Sequence, residues 1–415
     1  MRRRSRATRD YFRAGAWLLL FVVFAPIASR ADQLGDDTHF CDGKADAAYG
    51  EGSASQGIVH SSVFQPAFTS ACARESGLLN YLSTGDQNGI TQLTARARSF
   101  AGSDTPLSPA EKAQLEVSTR FWLSPVHQIP LYVNGWAIGY NLPCFSQQMK
   151  LTSLNLSLIY LAVIKAWNDP RLVADNAGLA SCNAPILLSR RLDTGGATRV
   201  FQDFLAKENP EWLPYARGTA PNAWPVNAFS CLGTFEAGMV SCVRDYPGAI
   251  AYVGIADARA NQLQTAQIQN VTKSFVAATT GGCTAAAGSA VLPPGTHPQQ
   301  LPTGTRSAWV PATLGDWSSV SITDAPDPVG SSSKSYPICS FAYAFILQQW
   351  FEGFGGTTSG RVARTVVDYF TAALGTPAQT ALTAAGYGPL PESVRQVALD
   401  GMTSVSYFRW TTAGV

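Results

Sequence analysis

The stretch from Arg190 to Leu205, RRLDTGGATRVFQDFL, has the greatest chemical reach in this chain. Two arginines end a strand-like run, Gly195 and Gly196 follow, and Val200, Phe201, Phe204 and Leu205 then recur at helical spacing. A helix that opens on a glycine pair aims free amide hydrogens, and the positive end of its dipole, at whatever lies before it. A neighbouring arginine adds a planar fork that suits an oxyanion. The chemistry these residues predict is anion capture. Asp86 and Asp104 are a second pair of interest, because paired acids can do general acid–base work. No Ser–His–Asp order, metal motif or Gly-Lys-Ser phosphate loop accompanies them, so neither an enzyme nor a cofactor is expected.

The elements that must position these residues alternate between strand and helix. IPLYV (129–133), APILLS (184–189) and AIAYV (249–253) read as strands. PAEKAQLEV follows Ser108, with Glu111 placed to close a capping box. SLNLSLIYLAVIKAW, TFEAGMVSCV and RVARTVVDYFTAAL read as helices, the last as an amphipathic one. Such alternation indicates an α/β fold on mostly parallel sheets. TTGGCTAAAGSAVLPPGTHPQQLPTGT, near 279–305, reads as a long surface loop or insert outside the core.

The chain has 415 residues, 46% hydrophobic and 14% charged, which suits a large core and argues against disorder. Arg2, Arg3, Arg4, Arg6, Arg9 and Arg13 precede the apolar run AGAWLLLFVVFAPIA, with small residues at Ala28 (or Ser29) and Ala31. That layout predicts a signal peptide over 1–31, cleaved near Ala31, and a periplasmic or secreted protein. Removing seven Arg and one Asp from 30 basic and 28 acidic groups leaves 23 and 27, a net of −4 with no bias towards nucleic acid. All eight Cys lie beyond that segment, so up to four disulfides are expected. Cys231 and Cys242 are not expected to pair: a helix through TFEAGMVSCV would hold them ~15 Å apart. The histidines at 39, 60, 127 and 297 are scattered and read as ordinary surface or core residues, not metal ligands.

Several segments, in order, resemble the phosphate-type (PstS-like) solute-binding proteins of bacterial ABC importers. They are YLSTGDQNGITQL, FAGSDTPLS, IGYNLP, IKAWNDPRL, PGAIAYV, SYPICSF and AAGYGPLP, and the Arg190–Leu205 stretch falls where that family carries its Arg-Ser-Asp-Gly-Ser-Gly-Thr-Thr loop. The resemblance spans roughly residues 50 to 400. It implies a two-lobed periplasmic-binding-protein-like α/β fold with the ligand in the cleft between hinged lobes. Lobe 1 would be 32–135 plus 336–415 and lobe 2 would be 136–335, with hinges near Val133–Tyr140 and Ser335–Ile338. It implies phosphate or a similar small anion as ligand, an ABC permease as partner, and a monomer.

Residue by residue, the resemblance makes Arg191 the ligand arginine, Asp193 the acid that orients it, Asp104 the carboxylate that accepts the ligand's proton, and Gly196 a backbone donor. Gly195, Ala197 and Thr198 complete that loop, and either Gln56 or Ser55 takes the place of a threonine donor in the first loop. Three hydroxyls of the family pattern are missing, because Asp86, Gly195 and Ala197 stand where it has Ser, Ser and Thr. At about 1.5–3 kcal/mol for each hydrogen bond to a charged group, these losses would weaken phosphate binding by a factor of 10³ or more. Asp86 would also repel a dianion. It would either lie against Arg191 as a built-in carboxylate or point to solvent, with water replacing the lost hydroxyls. A second reading follows from these departures: the fold is kept, tight phosphate binding is lost, and the exported protein serves in adhesion, assembly or an envelope complex.

Overall fold

The computed structural model describes residues 31–33, 40–117, 124–216, 223–227, 229–295, 310–330, 334–351 and 359–408. The signal peptide expected over 1–31, apart from Ala31, lies outside these residues, as do His39 and His297. Nine strands form one continuous sheet. In chain order they are β1 (Ala48–Gly52), β2 (Leu79–Ser83), β3 (Phe100–Ser103), β4 (Val126–Tyr140), β5 (Leu187–Arg191), β6 (Cys231–Gly233), β7 (Ala249–Gly254), β8 (Gln264–Thr265) and β9 (Cys339–Leu347). Their spatial order is β2-β1-β3-β9-β4-β7-β5-β6, with β8 beside β4.

β4 holds the two halves of the sheet together. Val126 to Gly135 pairs antiparallel with β9, and Trp136 to Tyr140 pairs antiparallel with β7. Every residue of β4 is buried, as expected for a strand covered on both faces. The outer strands on each side run parallel: β1 with β2 and β3, and β5 with β6 and β7. The sheet is therefore parallel at its flanks and antiparallel across its middle, where the sequence predicted a mostly parallel one.

Six helices matter for the site: α1 (Asp86–Thr94), α2 (Pro109–Val117), α3 (Gly196–Glu208), α4 (Phe235–Asp245), α5 (Thr280–Ala287) and α6 (Gly360–Leu374). The capping box ahead of α2 forms as predicted. The Ser108 amide donates to Glu111 Oε2 at 2.9 Å, and the Glu111 amide donates to Ser108 Oγ at 3.2 Å. α6 differs from the expected amphipathic helix, since both of its faces are buried. Its polar side is covered by the segment around Cys41: Arg364 donates to Asp42 at 2.8 Å, and Asp368 accepts from the Cys41 amide at 3.2 Å.

All eight Cys are paired, as Cys41–Cys72, Cys144–Cys182, Cys231–Cys242 and Cys283–Cys339. Two expectations are corrected here. Cys231 and Cys242 do bond, with Cα atoms 5.7 Å apart. Cys231 belongs to β6 rather than to the helix, and the chain reverses at Phe235 (φ 54°) so that α4 folds back along the strand. Gly233 permits this close packing, since a Cβ there would lie 2.7 Å from the Met239 amide nitrogen. The second correction concerns 280–287, which is a helix and not part of a surface loop. Thr279 caps it by accepting from the Gly282 amide, its alanines favour the helix, and Cys283 ties it to β9. Residues 296–305 of that stretch lie outside the described set. Of the two described histidines, His60 and His127 are both buried, and burial pushes each down to about 3, so both are neutral core residues.

Candidate functional site

The predicted residues gather into two adjoining knots, one around Asp104 and one around Arg191. Asp86 opens α1 after Gly85, whose φ of 101° suits glycine and turns the chain into the helix. Its carboxylate is buried, and Oδ2 accepts from Ser103 Oγ at 2.8 Å and from the Asp104 amide at 2.7 Å. Asp86 Oδ1 is buried without a partner. Asp104 follows β3 and accepts from Ser53 Oγ at 2.6 Å and from Ser55 Oγ at 2.7 Å. Asn134, in the middle of β4, donates to Ser55 Oγ at 3.1 Å. Burial, and next the charge of Asp86, push Asp104 up to about 7, although the two serine hydrogen bonds oppose the rise.

The start of α3 closes on this knot. A Cβ on Gly196 would lie 2.5 Å from Asp86 Oδ2 and 2.7 Å from Asp104 Cβ, so only glycine fits. The Thr198 amide donates to the Gly195 carbonyl at 3.1 Å, which leaves the Gly196 and Ala197 amides ahead of the helix's own hydrogen-bond ladder. The Asp86 carboxylate thus stands at a helix start, where an anion is favoured by both amides and dipole. Val200, Phe201, Phe204 and Leu205 are buried and anchor α3 in this direction.

The second knot surrounds Arg191 at the end of β5, which is buried to 3% exposure. Its Nε and Nη2 edge is taken by Asp193, with Nη2 to Oδ2 at 2.5 Å, and its Nη1 donates to Glu236 Oε1. The Phe235 amide donates to Asp193 Oδ1 at 2.8 Å, fixing the orienting acid. Burial alone would lower the Arg191 pKa, but Glu236, and then Asp193, raise it well above the usual arginine range. Asp257, nearby, is pushed up to about 6 by burial and by Glu236. Gly195 packs onto the same knot, since a Cβ there would stand 3.2 Å from Arg191 Cζ.

Neither placement foreseen for Asp86 holds. It does not face solvent, and the ion partners of Arg191 are Asp193 and Glu236. The built-in carboxylate on the arginine is Glu236, while Asp86 faces the helix start. Gln56 is turned from the gap, since its Nε2 donates to the carbonyls of Ser103 and Tyr343 at 2.9 and 3.1 Å. Ser55, the alternative, is the one that joins Asp104. Thr198 bonds Tyr252 Oη at 2.8 Å, and that oxygen accepts from the Arg191 amide at 3.1 Å. The Ala197 side chain contributes only buried apolar surface. Ser53, Ser103, Asn134 and Glu236 were missed by the sequence reading. Glu236 carried one signal, an acid in the first turn of a helix.

Known proteins point the same way as this geometry. A family model described as a PBP superfamily domain matches residues 42–348. The phosphate-binding protein PstS of Xylella fastidiosa (strain 9a5c) is 29% identical over 213 residues, which cover 51% of this chain and 55% of that one. PstS of Pasteurella multocida (strain Pm70) is 30% identical over 213 residues, covering 51% and 58%. The chain thus spans about half the length of the curated relatives it matches. Among solved structures, PfluDING, a high-affinity periplasmic phosphate-binding protein bound with phosphate, aligns at a TM-score of 0.57 and 20% identity over 84% of this chain and 92% of that one. A phosphate-bound substrate-binding protein from Clostridium perfringens aligns at 0.53 and 13% identity over 83% and 100%. These likenesses establish a two-lobed α/β fold. With the family model spanning most of its length, this chain belongs to the PBP superfamily.

Proposed function

We propose that this chain is an exported solute-binding protein that takes phosphate, or a related small oxyanion, between its lobes and delivers it to an ABC permease. The observation that carries the reading is the Asp86 carboxylate at the start of α3, 2.5 Å from where a Gly196 Cβ would be. The site accommodates an anionic oxygen there, and in the ligand-free protein it supplies one itself. Glu236 does the same for Arg191. Binding an oxyanion requires both carboxylates to withdraw, so affinity in the native protein is weak.

In this reading lobe 1 is 32–135 with 336–415 and lobe 2 is 136–335. The partner exchange of β4 between Gly135 and Trp136 supports a hinge there. In this reading the protein works as a monomer, periplasmic or secreted after cleavage near Ala31, and performs no catalysis. The names of the relatives support phosphate as the ligand.

One observation favours the second reading, an envelope interaction protein without tight phosphate binding. Both edges of Arg191 are already paired, and the Ser53 and Ser55 hydroxyls are committed to Asp104. Calorimetric titration of phosphate into the native protein and into Asp86→Ser separates the two. Binding that tightens in the variant supports solute capture, and no binding by either protein supports the second reading.

A further inference from the structure

Three of the four disulfides join residues of one lobe: Cys41–Cys72 in lobe 1, and Cys144–Cys182 and Cys231–Cys242 in lobe 2. Cys283–Cys339 differs. Cys283 lies in α5, ahead of the second crossing strand, and Cys339 is the first residue of β9, beyond it. The bond also rests on the first crossing strand, since a Cβ on Gly135 would stand 2.4 Å from Cys283 Sγ. Gly135 is where β4 leaves β9 for β7. The Tyr336 amide donates to the Gly282 carbonyl at 3.1 Å, and Tyr336 Oη donates to the Trp136 carbonyl at 2.9 Å. The start of α5 is thus fastened to both strands on which the lobes would turn.

A second set of contacts crosses the same boundary. By chain order 310–324 belongs to lobe 2, yet it packs on lobe 1. Thr313 is buried, and its Oγ1 is hydrogen-bonded to His127 Nδ1 at 2.8 Å. A Cβ on Gly401 would stand 2.6 Å from that oxygen. Trp317 is buried edge-on against Tyr343, with ring centres 5.8 Å apart. Thr323 Oγ1 donates to the Cys339 carbonyl at 3.0 Å, and the Asp324 amide donates to the Pro337 carbonyl at 2.7 Å. A hinge works by letting a few residues change φ and ψ. Here those residues are held both by a covalent bond and by a buried segment.

We propose that the Cys283–Cys339 bond and the 310–324 segment together form a clamp that holds the two lobes closed on each other. The lobes meet in this arrangement: Arg199 of α3 stands 3.3 Å from Glu111 of α2, and Gly196 of α3 packs on Asp86 of α1. With the clamp in place, solute exchange at the cleft proceeds without the wide hinge opening found in other two-lobed binding proteins. The inference rests on the lobe division proposed above, and not on which ligand the cleft takes.

The test compares the full mature chain with a Cys283→Ser, Cys339→Ser variant by small-angle scattering and by amide hydrogen exchange. A Cys144→Ser, Cys182→Ser variant, which loses a disulfide inside lobe 2, is the control. The native radius of gyration should stay the same with and without millimolar inorganic phosphate. The Cys283 and Cys339 variant should have a larger radius, and its Trp136, Tyr336 and Asp324 amides should exchange at least about tenfold faster. The control should match the native protein in both readouts. Trp317→Ala keeps the disulfide and should move both readouts the same way, and it decides the matter if the cysteine variant does not fold. Native dimensions or native exchange in the unclamped variant, or equal loosening of the same amides in the control, would overturn the proposal. The variants are compared without ligand, so a failed phosphate titration leaves the clamp standing, and a failed clamp leaves the oxyanion reading standing.

Discussion

Asp86 Oδ2 accepts the amide hydrogen of Asp104 at 2.7 Å, so the two acids of the site are joined through one carboxylate and one peptide. The bond holds Asp86 where α3 begins, and the Asp86 charge raises the Asp104 pKa. Removal of Asp86 is therefore expected to alter both the room at the helix start and the protonation of its neighbour.

Asp104 makes stability depend on pH. Its folded-state pKa of about 7 lies above the usual 3.8, so the folded protein holds this proton more tightly than the unfolded chain. The resulting stability is complete below the usual value and is lost as pH rises towards 7. His60 and His127, each pushed down to about 3 from 6.5, act oppositely and lose stability as pH falls below 6.5. In urea unfolding between pH 4 and 8 the native protein should therefore lose stability relative to Asp104→Asn as pH rises from 4 to 7. Parallel curves would show that Asp104 titrates normally.

Glu236→Gln should cost about 1–2 kcal/mol of stability, since Arg191 keeps Asp193 and the amide oxygen still accepts. The same change removes a negative charge from the guanidinium. Phosphate affinity should rise by about tenfold, the worth of one charge-assisted hydrogen bond. Unchanged affinity with intact folding would show that Glu236 does not compete with a ligand.

Gly196→Ala should destabilise the protein by about 1–3 kcal/mol, because the new methyl overlaps the Asp86 carboxylate. Serine at 86 is shorter, so Gly196→Ala should cost clearly less in an Asp86→Ser background. A double-mutant cycle measured by urea unfolding checks this. Strict additivity would mean that the two residues do not touch.

The Cys231–Cys242 bond closes a short loop, with a sequence separation of 11. Chain-entropy arguments assign such a loop about 3 kcal/mol. The Cys231→Ser, Cys242→Ser double variant should melt several degrees lower under oxidising conditions. Under full reduction, native and variant proteins should melt together.

How far the fold could be read from the sequence depended on the range of the interactions. The Ser108 and Glu111 cap was legible because its partners are three residues apart. β4 was legible only as the fragment 129–133, since its full length is set by β7 and β9 on its two sides. The Cys231–Cys242 pairing was missed because it depends on a chain reversal at Phe235, where a positive φ is adopted without glycine. The site divided in the same way. Arg191, Asp193 and Gly196 lie on one loop and were found together. Glu236 reaches Arg191 from 45 residues along the chain, and local spacing carries no trace of that meeting. Residues 280–287 were misread because glycine and alanine suggested a loop, whereas a threonine cap and the bond to Cys339 hold a helix.

The most direct measurement is the phosphate dissociation constant of Asp86→Ser beside that of the native protein, under identical conditions. If Asp86 fills the place of the missing anion, the native protein binds weakly and the variant binds at least about tenfold more tightly. Tight binding by the native protein, or no gain in the variant, would contradict the account.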